Sequence, residues 1–202
     1  MKSFGAVILA AGDSRRIGFP KALLRWQKKA FLEKIVDTLR AAHVQNIRVV
    51  TSAGGEKLIR DNLALPGVHL LVNPDPSRGQ FSSLKCGLAG FEADVVLVCL
   101  VDHPKVGASV LFELKEACVA TDALAVIPRF REKRGHPIAV KKELIDSFLQ
   151  APDGSTMKEV LNKRWSSILE IETSDSGVIA DIDTAEDYEL HLEERLRMAN
   201  DE

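Results

Sequence analysis

The run Asp94-Val95-Val96-Leu97-Val98-Cys99-Leu100-Val101-Asp102-His103-Pro104 decides the fold class. From Val95 to Val101 the apolar residues follow one another without the in-out alternation of a half-exposed strand, as a strand buried on both faces requires. Such a strand is central in a sheet with helices above and below. The carboxylate of Asp102 then stands at its C-terminal end, where open α/β sheets carry their ligand crevice. Shorter β-rich runs at Gly5 to Leu9, Ile47 to Thr51 and His69 to Asn73 each lead into helical periodicity. That alternation predicts βαβ units and a mostly parallel sheet. Leu32, Ile35, Val36 and Leu39 mark one helix face, and Val110, Leu111, Leu114, Ala117 and Cys118 mark another.

Beyond Pro128 the rhythm changes. A mostly basic stretch from Arg129 to Arg134 meets Gly135-His136-Pro137, and Ile138-Ala139-Val140 resumes an extended pattern. These residues predict a hairpin-like insertion over the C-terminal edge of the sheet. Thr156 and Glu159 have capping-box spacing, so a helix should run to about Lys163. Ile168 to Ile171 reads as a late strand. Thr184, with Asp187 three positions on, caps a last helix that turns Tyr188, Leu192 and Leu196 inward and Glu189, Glu193 and Glu194 outward. Ala199 to Glu202 reads as a frayed tail. The length of 202 residues fits a single domain over 1–202 with its core at about 4–192.

Lys and Arg number 27 against 29 Asp and Glu, a net charge of −2 that excludes the basic footprint of a duplex-binding protein. Cys86, Cys99 and Cys118 form no CxxC pair, which argues against a zinc site or a disulfide framework. Each sits among apolar residues and reads as a buried free thiol of a reducing compartment. The N-terminal apolar run, Phe4 to Ala11, flows into a glycine loop and reads as a strand, not a signal peptide. No apolar segment reaches the ~18 residues of a membrane span. A cytoplasmic protein without nucleic-acid or membrane partners is the expectation.

The densest chemistry lies in Leu9-Ala10-Ala11-Gly12-Asp13-Ser14-Arg15-Arg16-Ile17-Gly18-Phe19-Pro20-Lys21. Small residues let a ligand lie against the backbone, and Arg15, Arg16 and Lys21 suit a polyphosphate. The glycines are too far apart for a Walker loop or for the dinucleotide fingerprint, which argues against a hydride-transferring dehydrogenase.

This segment resembles the signature L-A-(A/G)-G-x-S-x-R-(M/F)-G-x-x-K of the MobA-like nucleotidyltransferases, at Leu9, Ala10, Ala11, Gly12, Ser14, Arg16, Gly18 and Lys21, with Ile17 at the Met or Phe position. Asn73-Pro74 and Gly79 to Leu84, closing on Gly87-Leu88, look like the family segment beside the base and sugar; Ser82 or Ser83 also reads as a helix cap. Asp102-His103-Pro104 is similar to the family D-x-P that holds catalytic magnesium, with His103 where Met or Gln is commoner. Asp181-Ile182-Asp183-Thr184-Ala185-Glu186-Asp187 resembles D-I-D-T-P-E-D, with Ala185 replacing Pro, and Asp183 is carried over as the second metal carboxylate. Asp181 and Asp187 read equally as dipole-stabilising carboxylates at a helix start. Arg134-Gly135-His136-Pro137 looks like the G-H-P of the cytidylyltransferase-like branch, near the acceptor. His43, His69 and His191 have no motif around them and read as structural or solvent-facing.

The resemblance implies a three-layer αβα sandwich, an α/β fold of the nucleotide-diphospho-sugar transferase type with a Rossmann-like, mostly parallel sheet. It also implies nucleotidyl transfer: an acceptor phosphate oxygen attacks the α-phosphorus of a nucleoside triphosphate and pyrophosphate leaves. Leu9, Ala10, Ala11, Gly12, Ser14, Arg16, Lys21, Asn73, Ser83 and Gly87 would bind the nucleotide. Lys21 and Arg16 would neutralise phosphates, Asp102 and Asp183 would hold Mg²⁺, and Arg134, Gly135, His136 and Pro137 would bind the acceptor. Ala11 with Gly135-His136-Pro137 favours CTP, and molybdopterin is the first acceptor to consider, with transient contact to a molybdoenzyme or its chaperone. A sugar- or alditol-phosphate nucleotidyltransferase, or a catalytically silent nucleotide-binding regulator or chaperone, is the alternative.

Overall fold

In a computed structural model, residues 2–12, 16–190 and 192 are described. The strands are β1 (Phe4–Ala10), β2 (Arg25–Trp26), β3 (Lys29–Ala30), β4 (Asn46–Thr51), β5 (Val68–Val72), β6 (Val95–Leu100), β7 (Ala125–Phe130), β8 (Lys133–Arg134), β9 (Ile138–Lys141) and β10 (Ile168–Glu172). The helices are α1 (Phe31–Ala41), α2 (Ala53–Asn62), α3 (Gln80–Leu88), α4 (Ala108–Ala120), α5 (Lys142–Gln150) and α6 (Met157–Lys163), and residues 185–190 are also helical. The main sheet runs β10-β7-β9-β6-β1-β4-β5, with β8 paired to β7. β1 is parallel to both β4 and β6, β4 to β5, and β7 to β10. The chain leaves β1 toward β4 and β5 on one side and returns to β6 on the other, so the order reverses beside β1. That reversal places a crevice at the C-terminal ends of β1 and β6.

Side-chain alternation divides the core into two layers. Ala6 and Ile8 of β1 with Val95, Leu97 and Cys99 of β6 face α1 and α4, where Leu32, Ile35, Val36, Leu39, Val110, Leu111, Leu114 and Cys118 are buried. Val7, Leu9, Val96 and Val98 face the other way, onto Phe81, Leu84 and Leu88 of α3, Leu144, Ile145 and Phe148 of α5, and Val160 and Leu161 of α6. This is the Rossmann-like three-layer arrangement, and β6 is covered on both faces. Thr156 caps α6 reciprocally with Glu159, as the capping box requires. Thr184 and Asp187 do the same at the helical stretch 185–190.

Four expectations change. Ile138–Lys141 is no insertion over the sheet edge: it is β9, buried throughout and antiparallel between β6 and β7. The hairpin is confined to β7 and β8, which turn through Arg131 and Glu132 at φ 47° and 66°. The start of α3 is capped by Gly79 rather than by a serine, because Ser82 and Ser83 lie within its first turn. Cys86 is half-buried, with Sγ 3.7 Å from the Val72 carbonyl beside the edge strand β5. Cys99 and Cys118 are buried, and desolvation pushes their thiols up to about 12 and about 11. Leu196, His191 and the tail lie outside the described residues, as does Ser14. No described helix is long and apolar enough to cross a membrane.

Candidate active site

A cleft of about 720 Å³ opens at the C-terminal ends of β1, β4 and β6. Its size suits a nucleotide-sized ligand. The end of β1 and the residues just past it deliver Leu9, Ala10, Ala11 and Gly12, and the end of β6 and the turn after it deliver Leu100, Val101 and Asp102. Arg16 and Lys21 come from the loop and 3-10 turn after β1, and Asp183 comes from just before the terminal helical stretch. The two acidic segments are joined by their backbones, the Ile182 N–H donating to the Asp102 carbonyl at 2.9 Å. Ile182 also packs into a small apolar cluster with Leu24 and Phe31, which anchors the Asp183 segment beside the first loop. Tyr188 reinforces this by donating its hydroxyl to the Arg25 carbonyl at 3.0 Å.

Residues far apart in sequence thus meet in one ion cluster. Lys21 Nζ donates to Asp102 Oδ2 at 3.1 Å and also to Asp183 Oδ1. Arg16 reaches Asp183 Oδ2 at 2.6 Å. The hydrogen bond from Lys21, helped by the charges of Lys21 and Arg16, holds the Asp183 carboxyl below its usual range against the opposing effect of burial. Asp102 Oδ1 is buried and meets no hydrogen-bond partner among the described residues; His103 Nε2 stands 3.8 Å away. The described residues contain no group of three or more His, Cys, Asp or Glu able to hold a metal. Two carboxylates aimed at one positive charge nevertheless fit a hard divalent cation, since magnesium is bound by one or two carboxylates and takes its other oxygens from water and phosphates.

Asn73 is buried outside the cleft lining. Its Nδ2 donates to Ser82 Oγ at 2.9 Å and Ser83 Oγ at 3.0 Å, and its Oδ1 accepts from the Asp75 N–H at 3.0 Å. It pins the loop from residue 76 to 80 that, with Ser83, forms one cleft wall. Gly87 also lies off the cleft, packed against the sheet, where an added Cβ would come within 2.5 Å of Val7 and 2.8 Å of Val50. The segment predicted to receive the acceptor does not line the cleft either. Gly135 lies against the Val178 backbone, which a Cβ would meet at 2.3 Å. His136 donates its N–H to the Val178 carbonyl and sets its ring 5.5 Å from that of His103. Arg134 pairs with Glu170 and covers Trp165 at 4.1 Å. The local reason is β9, whose place inside the sheet buries Gly135 and Pro137 and leaves His136 half-buried between them.

Gly79, Gln80 and Ser83, from the segment that the resemblance places beside the base and sugar, line the cleft, whereas the sequence reading missed Thr51, Ser52, Gly54 and Gly55 at the β4–α2 junction and Ser77 ahead of α3. Their signal was positional: small residues at or just beyond the C-terminal ends of β4, the neighbour of β1, and of β5, the strand after it.

Residues 6–168 match the MobA-like NTP transferase domain. The molybdenum cofactor cytidylyltransferase of Escherichia coli K12 is 24% identical over 188 residues, 93% of this chain and 95% of that one. The nicotine blue oxidoreductase of Paenarthrobacter nicotinovorans is 28% identical over 190 residues, covering 89% and 92%. Among solved structures, Rv0371c of Mycobacterium tuberculosis H37Rv superposes with a TM-score of 0.82 at 24% identity over 95% of this chain and 98% of its own, and its manganese complex with 0.76. The crevice beside β1, the signature loop that lines it and the match over most of the chain agree: this protein belongs to the MobA-like NTP transferase domain family, and with it to the nucleotidyltransferases.

Proposed function

We propose that the protein transfers a nucleoside monophosphate, CMP from CTP by preference, to a phosphorylated small-molecule acceptor, molybdopterin first among them, and releases pyrophosphate. The observation that carries this reading is the convergence of Lys21, Arg16, Asp102 and Asp183 in one cleft. Transfer at phosphorus needs positioning and charge neutralisation more than covalent help. The small residues of Ala10 to Gly12 let the nucleotide lie along the end of β1, while Arg16 and Lys21 take up phosphate charge. Asp102 and Asp183 would hold the divalent metal, Mg²⁺ or Mn²⁺, which when bound neutralises charge on the phosphates. Lys21 and Arg16 orient the chain of phosphates so that the acceptor oxygen and the leaving group lie in line across the α-phosphorus.

The relative named as an oxidoreductase motivates a second assay, although the first loop lacks a dinucleotide fingerprint. Purified protein is incubated with each common nucleoside triphosphate, a divalent metal, and molybdopterin or sugar phosphates. Pyrophosphate release with CTP and molybdopterin supports the proposal. Nucleotide binding with no pyrophosphate under any pairing favours the silent regulator, and turnover of a reduced nicotinamide cofactor instead would overturn the transferase reading.

A further inference from the structure

We infer that Lys21 is the resident counter-ion of the Asp102–Asp183 pair, so that the free protein excludes a bare divalent cation and accepts the metal only as its triphosphate chelate. The inference rests on the proposed role of these two aspartates as the metal carboxylates.

One ammonium donates to an oxygen of each carboxylate, and the Lys21 side chain is only 11% exposed, against 22% for Asp102 and 24% for Asp183. The ammonium is held in place and little exposed, so its charge is screened less than that of a surface lysine. A cation bound at ~2.1 Å from the same two oxygens would lie within roughly 4 Å of that nitrogen. Ammonium and metal therefore compete for Asp102 Oδ2 and Asp183 Oδ1. Arg16 adds a second positive charge on the remaining oxygen of Asp183, leaving that residue fully engaged. A bare metal must displace Lys21 from both carboxylate oxygens and brings no anion to take their place. A metal–triphosphate offers Lys21 and Arg16 phosphate oxygens at the moment the carboxylates are surrendered. The exchange keeps every charge paired, which links metal entry to nucleotide entry.

The test is Mn²⁺ binding, followed by electron paramagnetic resonance of the free ion, without nucleotide in the wild type, Lys21→Ala, Lys21→Met and each lysine variant combined with Asp102→Asn, and with CTP in the wild type, Asp102→Asn and Asp183→Asn. Lys21→Met keeps the side-chain volume should the alanine variant fold poorly. The expected result is Mn²⁺ binding tighter by roughly tenfold to a thousandfold when Lys21 loses its charge, the range over which one adjacent charge changes occupancy of a carboxylate. The gain should vanish on adding Asp102→Asn. Mn²⁺ should also raise the melting temperature of Lys21→Met more than that of the wild type. Unchanged Mn²⁺ affinity in both lysine variants, with Asp102→Asn and Asp183→Asn still weakening Mn²⁺ uptake in the presence of CTP, overturns the inference and leaves the metal reading standing. If the aspartate variants take up Mn²⁺ with CTP as the wild type does, the metal reading falls and the inference with it.

Discussion

Lys21 is asked to do two things, and they separate on measurement. As a positioned cation for phosphate, its loss should lower kcat by roughly 10² to 10³, the scale of removing one preorganised electrostatic group. Near-wild-type turnover by a folded Lys21→Ala protein would remove it from the chemistry. His136, off the cleft lining, should act on stability instead. Burial, with His103 alongside, pulls its imidazole down to about 4 from 6.5, while Asp102 acts in the opposite direction. Between those values the unfolded chain binds a proton that the folded chain refuses, so this contribution is whole above the unfolded value and is lost as pH falls toward about 4. The loss amounts to about 2 kcal/mol near pH 5 and about 3 kcal/mol at its limit. Urea unfolding near pH 7 and near pH 5 should show a steeper acid loss for the wild type than for His136→Phe. Equal slopes would place the acid sensitivity elsewhere. The Michaelis constant for the acceptor should not respond to Arg134→Ala, whose guanidinium is engaged by Glu170 and Trp165.

At the scale of elements, the cleft wall depends on how α3 starts and where it lies. Asn73 ties β5 to the first turn of α3 through two hydroxyls and one backbone N–H. Asn73→Ala leaves these groups without their partner and should cost about 1–3 kcal/mol. Because the pinned loop lines the cleft, the same change should raise the Michaelis constant for the nucleotide; a stability loss with unaltered nucleotide kinetics would confine Asn73 to the fold. α3 also sits close to the sheet at Gly87, where a methyl would overlap Val7 and Val50. Gly87→Ala should destabilise by about 1–3 kcal/mol through overpacking, read as a lower urea midpoint at constant slope.

For the whole molecule, the cleft is lined by segments from opposite ends of the chain: the loop after β1, the start of α2, the start of α3 and the Asp183 arm. A nucleotide that contacts all of them binds only the folded state and should stabilise it by about 2.7 kcal/mol at a hundredfold excess over its dissociation constant. For a chain of this size that is a rise in Tm of roughly 5–10 °C. Mg²⁺ with CTP should produce it, and Mg²⁺ with GTP should produce less at equal concentration. Equal shifts would show that Ala11 does not select the base.

Much of this was legible without coordinates. The unalternating run from Val95 to Val101 implied a strand covered on both faces, and the capping residues at Thr156 and Thr184 marked two helix starts, because these signals depend on neighbours in sequence. The loop from Leu9 to Lys21 and Asp102 could be named for the same reason, since small residues beside cations and a carboxylate at the end of a buried run are local patterns, whereas Asp183 was named only through its resemblance to the family motif. Tertiary structure alone decided that Ile138–Lys141 enters the sheet antiparallel, since a four-residue apolar strand reads the same at an edge or in the middle. That placement set His136 against His103, half-buried with its Nε2 out of solvent, and away from the cleft. It also took folding to bring Lys21 between two aspartates that a sequence pattern can only name separately, because the strength of an ion cluster depends on distances across strands and on shielding from water.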